Sequence, residues 1–207
     1  KEYIADALAK RSISGDGLYT KKVSKLLEDK FSLNKVLMTT SATHALEMAA
    51  QLIDLKKGEE VIMPSFTFSS TANAVLKEGA KPVFAEVKAE TFNLDPADFK
   101  AKISAKTKAV IPVHYAGISC EMNQIKKIAA ANNIFVIEDA AHAVNSYYQG
   151  KAAGGLGDLG CYSFHGSKNY VSGEGGALVI NSKGKKLLQK AAKNIVLVIM
   201  FTCTWYK

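Results

Sequence analysis

One stretch, "SFHGSKNYVSGEGG" at 163–176, gathers an amine, an imidazole, several hydroxyls and a run of glycines. Lys168 sits there beside Ser163, His165 and Ser167, and the glycines let the backbone approach a ligand closely. Composition does not single Lys168 out, because Lys plus Arg total 27 and Arg11 is the one arginine. A second stretch, "IFVIEDAAH" at 134–142, ends an apolar run on Glu138 and Asp139, with His142 following. Carboxylates at the end of a buried run need partners, since burying them alone is costly. Neighbouring strand residues face opposite sides, so the two acids make a poor pair of ligands for one metal, and no metal site is expected. They can also cap the following turn, and His142 can be a hydrogen-bonded structural histidine. A third stretch, "TTSATHAL" at 39–46, is a hydroxyl-rich turn entering a helix. It reads either as an ordinary Ser/Thr cap or as a helix N-terminus whose free N–H groups receive a phosphate. In "PSFTFSST" at 64–71, Phe66 and Phe68 either pack into a core or offer a flat face to a planar ligand. No Walker pattern is present, and no G-x-G-x-x-G follows an apolar run, so nothing points to a common ATP or NAD site.

The elements that must position these groups alternate between two periods. Leu46, Ala49 or Ala50 and Ile53 fall at helical spacing within 43–57, a segment that Thr39, Thr40 and Ser41 can cap and Gly58 can end. Strands are predicted at 60–64, 81–87, 108–113, 134–140, 160–164 and 176–181. Helices are predicted at 70–79, 95–103 and 121–133, the last with Met122, Ile125, Ile128 and Ala129 on one face. Continuously apolar strands separated by helices indicate a mostly parallel sheet covered on both faces. Ligands bind at the carboxyl ends of such strands. Residues Ser65 to Ser69, His114 with Tyr115, Glu138 with Asp139 and His142, and Ser163 to Lys168 should therefore converge on one site.

The bulk properties limit the function classes. The chain has 207 residues, a formal net charge of +8 and 48% hydrophobic residues, enough for one large domain. Its positive charge is scattered lysine rather than clustered arginine, which reads as a solvated surface and not as a nucleic-acid footprint. Cys120, Cys161 and Cys203 form no C-x-x-C pair, which argues against a disulfide framework and for a reducing, cytoplasmic setting. The run from Ile195 to Phe201 is too short to span a bilayer.

The ordered motifs "TSATHAL", "PSFTFSSTANAV", "PVHYAG", "VIEDAAHAV", "GCYSFHGSKN" and "GEGGALV" resemble the DegT/DnrJ sugar aminotransferases, from about Ser12 to about Ala192. These are pyridoxal phosphate enzymes of the aspartate aminotransferase fold. The resemblance implies a three-layer α/β/α large domain with a mostly parallel mixed sheet, and glutamate and a nucleotide sugar as substrates. It implies that Lys168 holds the cofactor covalently and that Asp139 pairs with the pyridinium nitrogen, leaving Glu138 to point into the scaffold. It further implies that His142 bonds the ring's phenolic oxygen, that Phe68 stacks on the ring with Phe66 left to packing, and that Ala42, Thr43 and Ser163 meet the phosphate. Some relatives replace the lysine with histidine and act as sugar dehydratases, so Lys168 favours amino transfer. Family members are longer, carry a smaller C-terminal domain, and complete the site as homodimers. On this reading residues 1–20 are an N-terminal segment, 21–192 the cofactor-binding domain, and 193–207 an atypical apolar tail. That tail is expected to reflect a frameshift or an early end, or to cover a sheet edge as a strand.

Overall fold

The computed structural model describes residues 2–10 and 15–181; the tail at 193–207 and Cys203 lie outside them. The helices are α1 (Glu2–Ala9), α2 (Leu18–Phe31), α3 (Ala42–Leu52), α4 (Ser69–Lys77), α5 (Pro96–Ala101) and α6 (Met122–Ala131). The strands are β1 (Lys35–Thr39), β2 (Glu60–Pro64), β3 (Lys81–Ala85), β4 (Thr107–Val110), β5 (Phe135–Asp139), β6 (Tyr147–Tyr148), β7 (Lys151–Ala152), β8 (Leu159–Ser163) and β9 (Gly176–Ile180). Seven strands form one sheet in the order β1-β9-β8-β5-β4-β2-β3, and β6 and β7 make a separate small hairpin. Strands β8, β5, β4, β2 and β3 pair in parallel, while β9 runs antiparallel to both of its neighbours.

The central strands are buried along their whole length, as a sheet covered on both faces requires. Alternating residues separate the two faces. Leu159, Cys161, Leu178 and Ile180 pack against α3 and α4 through Ala45, Leu46, Ala49, Ala74 and Val75. On the other face, Tyr162, Ala177 and Val179 meet Leu27 and Phe31 of α2. Farther along that face, Ile62, Val110 and Val136 meet Phe99, Met122 and Ile125 of α5 and α6. The result is the three-layer α/β/α arrangement that the sequence predicts.

Several elements end earlier than expected, and three of these ends have a visible cause or consequence. Helix α3 stops at Leu52 rather than near residue 57, because Asp54 takes a left-handed conformation (φ 59°) and Leu55 N–H returns to the Ala50 carbonyl. Helix α6 likewise ends before Asn133, whose φ is 55°. Strand β4 ends at Val110, although a single bridge from Val113 to Asp139 keeps the following segment alongside β5.

Candidate functional site

The carboxyl ends of the parallel strands share one edge, and neighbouring registers fix what stands there. Gly176 pairs with Thr39 on one side and Ser163 on the other, and one strand further Asp139 pairs with Cys161. The buried Ser163 hydroxyl accepts the His165 amide at 3.4 Å.

The two acids that end β5 part company. Glu138 is fully buried, and its carboxylate accepts the amides of Gly154 (2.8 Å), Leu156 (2.6 Å) and Gly157 (2.5 Å) and Nε2 of His114 (2.7 Å). Nδ1 of His114 accepts the Cys120 amide at 3.1 Å, so the hydrogen-bond pattern assigns the ring's single proton to Nε2. The glycine-rich run 153–157 is thus wound around one carboxylate. A side chain at Gly160 would collide with the Gly154 backbone, which explains the glycine in β8. His114, expected at the site, belongs instead to this scaffold, because its ring is committed to Glu138 and the Cys120 amide.

Asp139 faces the other way. Its Oδ2 accepts the Thr71 hydroxyl at 2.8 Å, and its Oδ1 accepts the Ala141 amide at 3.2 Å. Of the two acids, therefore, Asp139 caps the turn that follows. Thr71 lies in the first turn of α4, fully buried, and its hydroxyl also meets Thr67 Oγ1 at 2.8 Å. Nothing in the sequence marks Thr71 among its neighbouring hydroxyls, and the pairing across 68 residues is visible only in three dimensions.

Lys168 and His142 share the field of Asp139. Burial lowers the proton affinity of Lys168 below the ordinary 10.5, and the Asp139 charge opposes that shift. Burial, and then the Lys168 charge, lower the proton affinity of His142 below 6.5, again opposed by Asp139. His142 is thereby held neutral near pH 7, with Nδ1 accepting the Ala116 amide at 3.4 Å and the ring edge-on to Tyr115. Cys161 is not a second nucleophile: burial, then Asp139 and Glu138, push its thiol well up, so it stays protonated.

Two helices aim their N-terminal ends at this edge. Ser41 caps α3, its hydroxyl accepting the His44 amide at 3.2 Å, and no helix carbonyl can reach the amides of Ala42 and Thr43. The Thr43 hydroxyl meets that of Ser70 at 2.7 Å, which ties the first turn of α3 to that of α4. A Cβ at Gly176 would lie 2.6 Å from the Ala42 nitrogen, so β9 passes directly under the turn. Phe68, the residue before α4, is 73% exposed and is not core. Phe66 packs with Phe92 and Tyr115 at centroid distances of 5.2 and 4.9 Å, a cluster that continues to His142. Among the described residues, no group of three or more His, Cys, Asp or Glu is arranged to hold a metal, and no helix is long and apolar enough to cross a membrane.

Comparisons with known proteins bear on the family and the fold. Residues 1–195 match the DegT/DnrJ/EryC1/StrS aminotransferase family. The chain is 37% identical over 183 residues to a GDP-perosamine synthase of Escherichia coli O157:H7, covering 88% of this chain and 50% of that protein. Among solved structures, DesI in the presence of its TDP-sugar product matches with a TM-score of 0.84 and 33% identity, covering 92% of this chain and 48% of DesI. NtdA of Bacillus subtilis with bound PMP matches with a TM-score of 0.82 and 31% identity, covering 91% of this chain and 43% of NtdA. The chain thus spans about half the length of the relatives it matches. The chain belongs to the DegT/DnrJ/EryC1/StrS aminotransferase family.

Proposed function

We propose that the protein is a pyridoxal-phosphate-dependent aminotransferase, moving an amino group from glutamate to a keto carbon of a nucleotide-linked sugar. The observation that carries this reading is that Asp139, whose charge acts on both Lys168 and His142, ends β5 at the carboxyl edge of the sheet and is tied through Thr71 to the start of α4, which Ser70 joins to the start of α3. The donors present suit such a cofactor. The helix-end amides of Ala42 and Thr43, with the Ser163 hydroxyl, suit a phosphate. The exposed Phe68 ring suits the face of a pyridine, and the buried Asp139 carboxylate suits its protonated nitrogen. When bound, pyridoxal phosphate supplies an electron sink for charge developing on a carbon next to the amine nitrogen. Lys168 would hold the cofactor covalently at rest and, once the donor's amine takes over that link, its freed Nζ would carry the proton to and from the substrate carbon. Burial lowers its proton affinity, the direction that helps an amine give up a proton. His142, neutral, orients the ring oxygen.

The finer reading is a dTDP-linked 4-keto-6-deoxy sugar as acceptor, in cell-surface polysaccharide synthesis of the enterobacterial common antigen type. "VIMPSFTFSSTANA", "PVHYAGISCEM" and "SFHGSKNY" resemble dTDP-4-amino-4,6-dideoxygalactose transaminase in particular. The working form on this reading is a cytoplasmic homodimer. Incubating the full protein with pyridoxal phosphate, glutamate and a panel of dTDP-, UDP- and GDP-linked 4-keto sugars tests it. An amino sugar on one nucleotide, formed with an equal amount of 2-oxoglutarate, is the expected product. No amino sugar from any member of the panel would sink the reading.

A further inference from the structure

We propose that the hydroxyls of Thr67 and Thr71 form a relay that holds Asp139 as a carboxylate, so that the proton shared with the cofactor stays on the ring nitrogen. Thr71 is then a positioning residue for the reaction. The inference rests on the reading of Asp139 given above.

The direction of the relay follows from proton counting. A threonine hydroxyl has one proton to donate. Thr71 spends its proton on Asp139 Oδ2, at 2.8 Å. The contact between Thr71 and Thr67, also 2.8 Å, must therefore be donated by Thr67. Thr67 polarises Thr71, and Thr71 in turn supports negative charge on Asp139. The Ala141 amide adds a donor on Oδ1 at 3.2 Å, and Asp139 stands near the start of α4, where the helix dipole also favours an anion.

This matters because Asp139 is only 5% exposed. With the cofactor bound, one proton would be shared between the carboxylate and the ring nitrogen. In a low-dielectric setting the neutral arrangement, carboxylic acid and unprotonated ring, competes with the charged one. Donors aimed at the carboxylate favour the charged arrangement, and Thr71 is the donor buried most deeply, at 0% exposure. Sequence spacing supports the pairing of tasks. Phe68 and Thr71 are three apart at the entry to α4, one helical turn, so one helix start presents both the ring-facing aromatic and the support for the acid.

The test uses the full protein loaded with pyridoxal phosphate carrying 15N at the ring nitrogen, read by 15N NMR. The parent should resonate at the pyridinium position. Asp139→Asn should move the signal downfield to that of a neutral pyridine, and Thr71→Val, which keeps the side-chain shape, should move it in the same sense. Thr71→Ser should restore the parental position, and Thr67→Val should give a smaller shift of the same sign. A merely structural role for Thr71 would lower the melting temperature and leave the resonance in place. If Asp139→Asn shifts the signal and Thr71→Val does not, the relay is wrong and the assignment of Asp139 stands. If Asp139→Asn leaves the signal unmoved, the assignment fails and the relay falls with it. Should Thr71→Val not fold, Thr67→Val decides, since it leaves Thr71 in place, and an unmoved resonance there contradicts the relay.

Discussion

Glu138 and Asp139 are neighbours in sequence and work on opposite faces of the sheet. Glu138 gathers three amides and the His114 ring into a buried network. Removing it leaves those neutral donors unpaired, at about 1–3 kcal/mol for each that water does not reach, so Glu138→Ala should lose several kcal/mol in chemical denaturation. A loss below about 1 kcal/mol would mean that water replaces the carboxylate. The opposed directions of the two acids were legible in the sequence, because alternation along a strand demands it. The partners of Glu138 were not, because a glycine-rich run does not announce which carboxylate it surrounds. His142 contributes a pH dependence at this scale. Its folded proton affinity is lowered, so beneath pH 6.5 the unfolded chain binds more protons than the folded one. The contribution of His142 to stability therefore falls as pH drops through that window. Thermal unfolding of the cofactor-free protein should show His142→Gln with a flatter slope there, and an unchanged slope would contradict the assignment.

The turn entering α3 is where secondary structure becomes a binding surface. Strand β9 runs beneath it so closely that Gly176 has no room for a side chain. Gly176→Ala should push the Ser41–Ala42 peptide outward and weaken pyridoxal phosphate binding by about tenfold, or ~1.4 kcal/mol. Fluorescence titration measures it, and an unchanged affinity would show that the turn does not hold the phosphate. Ser41→Ala should cost about 1 kcal/mol of stability through loss of the cap. Apart from the small β6–β7 hairpin, the helices and strands from residue 42 onward followed from periodicity, and their edges followed less well. The end of α3 depends on Asp54 adopting φ 59°, which no apolar pattern reveals. Strand β1 and helix α2 complete one flank of the sheet and passed unpredicted, since "KVLMT" borders a polar segment and only Leu27 and Phe31 of α2 are buried.

Across the whole molecule, the sheet order brings distant segments to one edge, so that Thr39, Gly176 and Ser163 stand side by side though far apart in sequence. That convergence was legible as a rule about parallel sheets. The tie between Thr43 and Ser70 and the contact between Thr71 and Asp139 were not, because each joins residues from separate units of the chain. A site assembled this way should couple cofactor binding to global stability. At a hundredfold excess over Kd, pyridoxal phosphate should stabilise the fold by about 2.7 kcal/mol, seen as a raised melting temperature. An unchanged melting temperature at that excess would deny the coupling. The most direct measurement is chemical trapping. The protein is mixed with pyridoxal phosphate, reduced with borohydride, digested, and its modified peptide identified by mass spectrometry. The account predicts one phosphopyridoxyl group, on Lys168, absent from Lys168→Ala. Labelling spread over the surface lysines, or none at all, would contradict it.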